Sequence, residues 1–174
     1  TPFLGDGLQV YRTQSIVPFV CGIRNLTTSY TPYQPERSQG TLATHWIYQC
    51  VMSQLTGFEA INSSLYDRST ALFEAICCAL RLVDEADTVL VAANLFPADL
   101  EVLRTHAADT KVNLVLVQPD AKTGRLSAEG IRAAAAPLGK RLAAVAFPQV
   151  NNLGLLEDVD ALTDAIADLG VKSI

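Results

Sequence analysis

Three near-continuous apolar runs, at residues 88–93, 112–117 and 142–147, lack the polar alternation of a half-exposed strand. They predict strands covered on both faces. Between and around them the spacing changes to three and four. Leu72, Ala75, Ile76, Ala79, Leu80 and Val83 mark one helical face, and Val159, Leu162, Ile166 and Leu169 mark another over 158–169 with Gly170 beyond. Pro97 opens a helix, with Asp99 and Glu101 in its first turn. Ser127 reads as an N-cap, Ile131 and Leu138 as inward positions and Gly139 as a stop. Strand and helix in alternation predict an α/β fold, a mostly parallel sheet with helices on both faces.

Upstream, Leu42, Trp46 and Cys50 recur at four-residue spacing beside Ile47, Val51 and Leu55, an amphipathic helix that Gly57 ends. Residues 59–63 read as a short strand. Residues 1–38 show no sustained period and contain Pro18, Pro32 and Pro35, so they are expected to form an extended arm. The expected organisation is an arm over 1–38 and an α/β large domain over 39–174, truncated at its C-terminal end. The alternation calls for a further strand at 171–174, and a sheet cut there would leave an unpaired apolar edge and a tendency to self-associate.

Of the 174 residues, 49% are hydrophobic and 18% charged, with a formal net charge of -5, which excludes a disordered chain. The scattered basic residues offer no stripe for a nucleic-acid backbone. No apolar run reaches the roughly 20 residues of a membrane span, and no signal peptide is evident, so a soluble protein is expected. Cys21, Cys50, Cys77 and Cys78 lack metal-ligand spacing and are expected to be reduced small hydrophobes. His45 and His106 are expected at surface or capping positions. Gly5-Asp6-Gly7 lacks the preceding strand and third glycine of a dinucleotide fingerprint.

Three segments remain as candidates for chemistry. Residues 30–40 concentrate Tyr30, Thr31, Tyr33, Gln34, Glu36, Ser38 and Gln39 around Pro32 and Pro35, whose fixed dihedrals present the intervening side chains in a narrow range of directions. A polar loop capping the next helix explains the same residues. Residues 62–71 run into a helix N-terminus, where Ser69 and Thr70, with Arg68, could bind an anion. Asp67 would oppose a phosphate there, and a simple cap by Asp67 or Ser69 is the competing reading. Residues 149–158, with Asn151, Asn152 and Gly154, form a strand-to-helix loop at the strand end where open α/β sheets place ligands.

Taken together, YTPYQPERSQG at 30–40, INSSLYDRSTALFEA at 61–75 and FPQVNNLGLLEDVDAL at 147–162, with Phe3-Leu4-Gly5 at the start, resemble the glycine decarboxylase P-protein family, in its N-terminal half or separate first subunit. The resemblance implies part of the pyridoxal-phosphate-dependent transferase fold-type-I large domain. It implies a part in decarboxylating glycine and passing the aminomethyl group to the lipoylated H-protein, in the cytoplasm or, in a eukaryote, the mitochondrial matrix. It further implies that the Schiff-base lysine belongs to a homologous catalytic half, or subunit 2, since Lys111, Lys122, Lys140 and Lys172 match no such motif. Pyridoxal phosphate would then not be bound covalently here, and residues Tyr30 to Gln39 would complete the partner's site. Arg68-Ser69 departs from the family's usual glycine after the aspartate, which puts a phosphate site there in doubt. A purely structural half and a nucleotide-binding α/β module are the alternatives.

Overall fold

The structure is a computed structural model and describes residues 12–26 and 31–174. These fall into two compact units, one within Gln9–Leu65 and one containing Tyr66–Ile174. The boundary therefore lies after Leu65, not after residue 38 as expected from the change of pattern. Local packing explains the difference: the first long helix is anchored to the segment before it, through contacts described below.

In the smaller unit, α1 (Val17–Cys21) begins with Pro18 in its first turn and ends where the Gly22 N–H meets the carbonyls of Pro18 and Phe19. The expectation of an arm without regular structure fails here. A single turn of helix has too few residues to display a period. Helix α2 (Gln39–Thr56) ends on Gly57 in the left-handed conformation (φ 77°), whose N–H reaches the Ser53 carbonyl. Residues 59–63 form no strand. Instead, Gln49 Nε2 donates to the Ile61 carbonyl at 2.7 Å and Ser53 Oγ to the Phe58 carbonyl at 2.6 Å, tying the irregular chain back onto α2. The predicted inward stripe of α2 is also not buried: Gly40 is the one buried residue of this helix.

The larger unit runs α3 (Arg68–Leu82), β1 (Thr88–Ala92), α4 (Pro97–Ala107), β2 (Asn113–Val117), α5 (Ala128–Ala135), a 3-10 turn (Gly139–Arg141), β3 (Leu142–Ala146), α6 (Val159–Asp168) and β4 (Lys172–Ser173). All four strands are parallel, in the order β2-β1-β3-β4. Strands β1 and β3 lie in the middle and are buried at every position, as their unbroken apolar runs predict. Helix α3 packs on α4, and α5 on α6. From β1 the chain crosses one way to β2 and from β3 the other way to β4, so right-handed crossovers put α4 and α6 on opposite faces. The core joins Val89, Leu90 and Val91 of β1 to Ile76, Leu103, Ile131, Leu162 and Ile166 from the helices.

The caps follow the sequence. Asp67, Ser127 and Asp158 each accept a backbone N–H in the first turn of α3, α5 and α6. Gly139 stands outside α5, which already ends at Ala135, and starts the 3-10 turn instead. The outer edge of β3 is not open as expected. It pairs with β4, and the Phe147 and Ile174 N–H groups extend the ladder. All four cysteines are free thiols, and none is buried: Cys21 and Cys78 are exposed, and Cys50 and Cys77 are partly covered. Residual burial raises the Cys77 thiol above its ordinary pKa. Among the described residues, no helix is long and apolar enough to cross a membrane.

Candidate functional site

The proline-rich segment divides into an inward and an outward set. Two successive turns form it, with Arg37 N–H on the Gln34 carbonyl and Ser38 N–H on that of Pro35. Ser38 is fully buried, and its Oγ donates to the Thr31 carbonyl at 2.8 Å, while Gln39 Nε2 donates to the Pro35 carbonyl at 2.6 Å. Thr31, Ser38 and Gln39 thus lock the segment onto the start of α2. Tyr33, Gln34 and Glu36 point outward. Tyr33 is 87% exposed, so its ring supports nothing in its own unit. Tyr30 and Gly5-Asp6-Gly7 lie outside the described residues.

At the N-terminus of α3 the anion is the chain's own. The Asp67 carboxylate accepts the Thr70 N–H at 2.8 Å and the Thr70 hydroxyl at 2.9 Å, and these bonds, the backbone one first, hold its pKa below the ordinary aspartate value. Asp99, buried in the first turn of α4, accepts Ser69 Oγ at 2.6 Å and Arg68 Nε at 2.8 Å. The Arg68 guanidinium also lies over the Phe96 ring, 4.5 Å from its centroid. Both hydroxyls singled out for anion binding, Ser69 and Thr70, are therefore committed to carboxylates. Arg68 and Ser69 hold α3 to the start of α4, which gives these two side chains a structural role in the turn.

The third segment closes the crevice between the two middle strands. Because the crossovers leave β1 and β3 in opposite directions, the carboxyl ends of these strands are the switch point at which such sheets bind ligands. Here the buried Glu157 carboxylate accepts three donors: Asn94 Nδ2 at 2.7 Å, Asn151 Nδ2 at 2.8 Å and Leu126 N–H at 2.9 Å. Asn151 Oδ1 accepts the Leu153 and Leu155 N–H groups, which folds the loop into a turn. Asn152 N–H donates to the Asn94 carbonyl and joins the loops after β1 and β3. Asn94 and Glu157 were not among the residues singled out from the sequence. They are 63 positions apart, and only the sheet order brings them together.

His45 is partly covered, and His106, in the last turn of α4, stacks on Phe73 with ring centroids 5.0 Å apart. Among the described residues no group of three or more His, Cys, Asp or Glu could hold a metal ion.

Pyridoxal phosphate requires an imine lysine, a free acid for its ring nitrogen and a phosphate cradle. Lys111 and Lys140 precede β2 and β3, Lys122 lies in the β2–α5 loop and Lys172 on β4, and all four are exposed. Glu157 is taken up by three donors, and the α3 N-terminus already carries Asp67. These residues do not fit a cofactor held by this chain alone.

The parallel sheet with paired helices on both faces is an α/β architecture, and the solved structures it matches make it part of a pyridoxal-phosphate fold-type-I large domain. The fold is shared with mouse CSAD, with a TM-score of 0.65 at 14% identity over 89% of this chain and 35% of that one. The crystal structure of glycine decarboxylase (P-protein) of the glycine cleavage system, in inhibitor-bound form, matches at a TM-score of 0.78 with 30% identity, over 98% of this chain and 37% of that chain. The family model of the glycine cleavage system P-protein matches residues 1–173. The chain belongs to that family. Its relatives include proteins named probable glycine dehydrogenase (decarboxylating) subunit 1 from Nitrosospira multiformis, 35% identical over 93% of this chain, and from Koribacter versatilis, 34% identical over 97%. The chain spans 35% and 37% of the length of these two relatives.

Proposed function

We propose that this chain is a non-cofactor-binding part of a glycine dehydrogenase (decarboxylating), which completes the active site of a homologous catalytic half or subunit 2. The supporting observation is the division of residues 31–39: Thr31, Ser38 and Gln39 fix the segment, while Tyr33, Gln34 and Glu36 are left exposed on a stiff support. On such a support a phenol, an amide and a carboxylate can orient a substrate or hold a proton with little backbone entropy left to lose. Tyr30 belongs to the same proposal through its sequence position alone.

The substrate is glycine, and the aminomethyl group goes to a lipoylated H-protein. Pyridoxal phosphate, held by the partner, supplies the electron sink for decarboxylation. In this reading Ser69 and Thr70 bind no external anion, because Asp99 and Asp67 occupy their hydroxyls. The working enzyme is an oligomer in the cytoplasm, or in the mitochondrial matrix of a eukaryote.

Borohydride trapping tests the division of labour. Incubated alone with pyridoxal phosphate, the chain is expected to give no specific reduced adduct on Lys111, Lys122, Lys140 or Lys172. With its catalytic half present, a single adduct is expected on the partner. A stoichiometric adduct on one lysine of this chain would overturn the reading.

A further inference from the structure

Ser38 holds the N-cap position of α2, where a serine is among the residues best suited to accept a backbone N–H of the first helical turn. Ser127 does so at the start of α5, but Ser38 makes no side-chain cap. Its hydroxyl turns back along the chain and donates to the Thr31 carbonyl at 2.8 Å. Gln39, the first residue of α2, reaches back in the same direction, with Nε2 on the Pro35 carbonyl at 2.6 Å.

The two bonds clasp one arc of chain. The first closes residues 31–38 and the second residues 35–39, so Tyr33 lies within one closure and Glu36 within both. Pro32 and Pro35 each fix a single dihedral inside the arc, which leaves open where the arc stands relative to α2. The side chains at the helix start set that relation. Ser38 is fully buried, and a buried hydroxyl is costly unless it is bonded, so its hold on Thr31 is firm.

We infer that Ser38 and Gln39 are positioning residues for glycine decarboxylation, acting through the backbone that carries Tyr33 and Glu36. The inference rests on the active-site role proposed above for those two side chains. A group displaced by about 1 Å from its productive geometry can lose on the order of a hundredfold in rate, so a loosened arc registers in turnover.

The test is a double-mutant cycle on the complete enzyme, this chain assembled with its catalytic half, read as turnover per assembled complex. Ser38→Ala should lower kcat for glycine about tenfold and Gln39→Ala, an exposed position, about threefold, each with KM changed less than about twofold. With Tyr33→Phe and Glu36→Gln already present, adding either change should cost less than about 1.5-fold, because the groups to be positioned are gone. A merely structural loss would persist undiminished on that background. Wild-type turnover in Ser38→Ala or in Gln39→Ala would overturn the inference, as would a loss of the same size on both backgrounds, and either result leaves the role of Tyr33 and Glu36 standing. Wild-type turnover in the Tyr33→Phe, Glu36→Gln protein would instead strike that role and this inference with it. If Ser38→Ala does not assemble, the Gln39→Ala cycle alone carries the decision.

Discussion

Gly40 meets the backbone of Asn25 so closely that a β carbon placed on it would lie 1.8 Å from the Asn25 carbonyl oxygen and 2.9 Å from the Leu26 α carbon. The obstacles are backbone atoms, which cannot swing aside as a flexible side chain would. The final glycine of the 30–40 segment is thus set by close approach. It holds the first turn of α2 against residues 25 and 26.

Gly40→Ala gives a prediction whose sign is informative. Helix propensity alone would favour alanine inside α2 by roughly 0.5–1 kcal/mol. The contact with Asn25 predicts the reverse, a loss of about 1–3 kcal/mol, typical of overpacking. Urea denaturation of the two proteins decides between them, and a stabilised variant would refute the close approach.

Glu157→Ala should be among the most damaging single changes in the larger unit. It strands the Leu126 N–H and one hydrogen each of the Asn94 and Asn151 amides, which keep only their bonds to the Gly124 carbonyl, and a buried donor left unpaired costs about 1–3 kcal/mol. A loss of at least about 3 kcal/mol in a denaturation midpoint series is expected. Glu157→Gln keeps the shape but turns one acceptor into a donor facing donors, so it should fall between the two.

Asp99→Ala should loosen the α3–α4 junction by about 2 kcal/mol, because Arg68 and Ser69 lose their shared buried acceptor. Hydrogen exchange should quicken at the start of α3 and leave β1 and β3 protected. Unchanged exchange at Arg68 to Thr70 would mean that the junction does not depend on Asp99.

Acid should destabilise the fold through three aspartates. Backbone and hydroxyl donors of Thr70 lower Asp67, Arg141 followed by Thr88 lowers Asp87, and the N–H groups of Thr123 and Lys122 lower Asp120. A carboxyl with a folded pKa below its unfolded one binds more protons when unfolded, so its contribution is complete above the unfolded value, near pH 4, and is lost as pH falls through the folded one. The denaturation midpoint should therefore decline from roughly pH 5 downward, and Asp87→Asn should flatten that decline. A variant with the full wild-type slope would remove Asp87 from the account.

The sheet was legible because its evidence is local. The apolar runs around Leu90 and Val145 follow from burial on both faces, and Asp67, Ser127 and Asp158 cap helices whose first turns lie next to them in sequence. What escaped was non-local or too short to show a period. Glu157 finds Asn94 only after β3 has been placed beside β1, and α1 spans five residues. Helix α2 was recognised as a helix, but its spacing alone suggested a buried stripe that the structure leaves exposed. Within the 30–40 segment the sequence singled out a set of polar side chains without separating Thr31, Ser38 and Gln39, which hold the turn, from Tyr33, Gln34 and Glu36, which do not. That distinction depends on which carbonyls lie within reach of Ser38 Oγ and Gln39 Nε2.

The central claim is that this outward set serves a partner's chemistry, and turnover per assembled complex of Tyr33→Phe and Glu36→Gln tests it most directly, with assembly measured separately by size. Neither side chain is buried in its own unit, so folding and assembly should be unchanged. Glycine decarboxylation by the complete enzyme should fall at least about tenfold in each variant, equivalent to about 1.4 kcal/mol of transition-state stabilisation. Wild-type turnover in both variants would contradict the account and leave this chain a structural half.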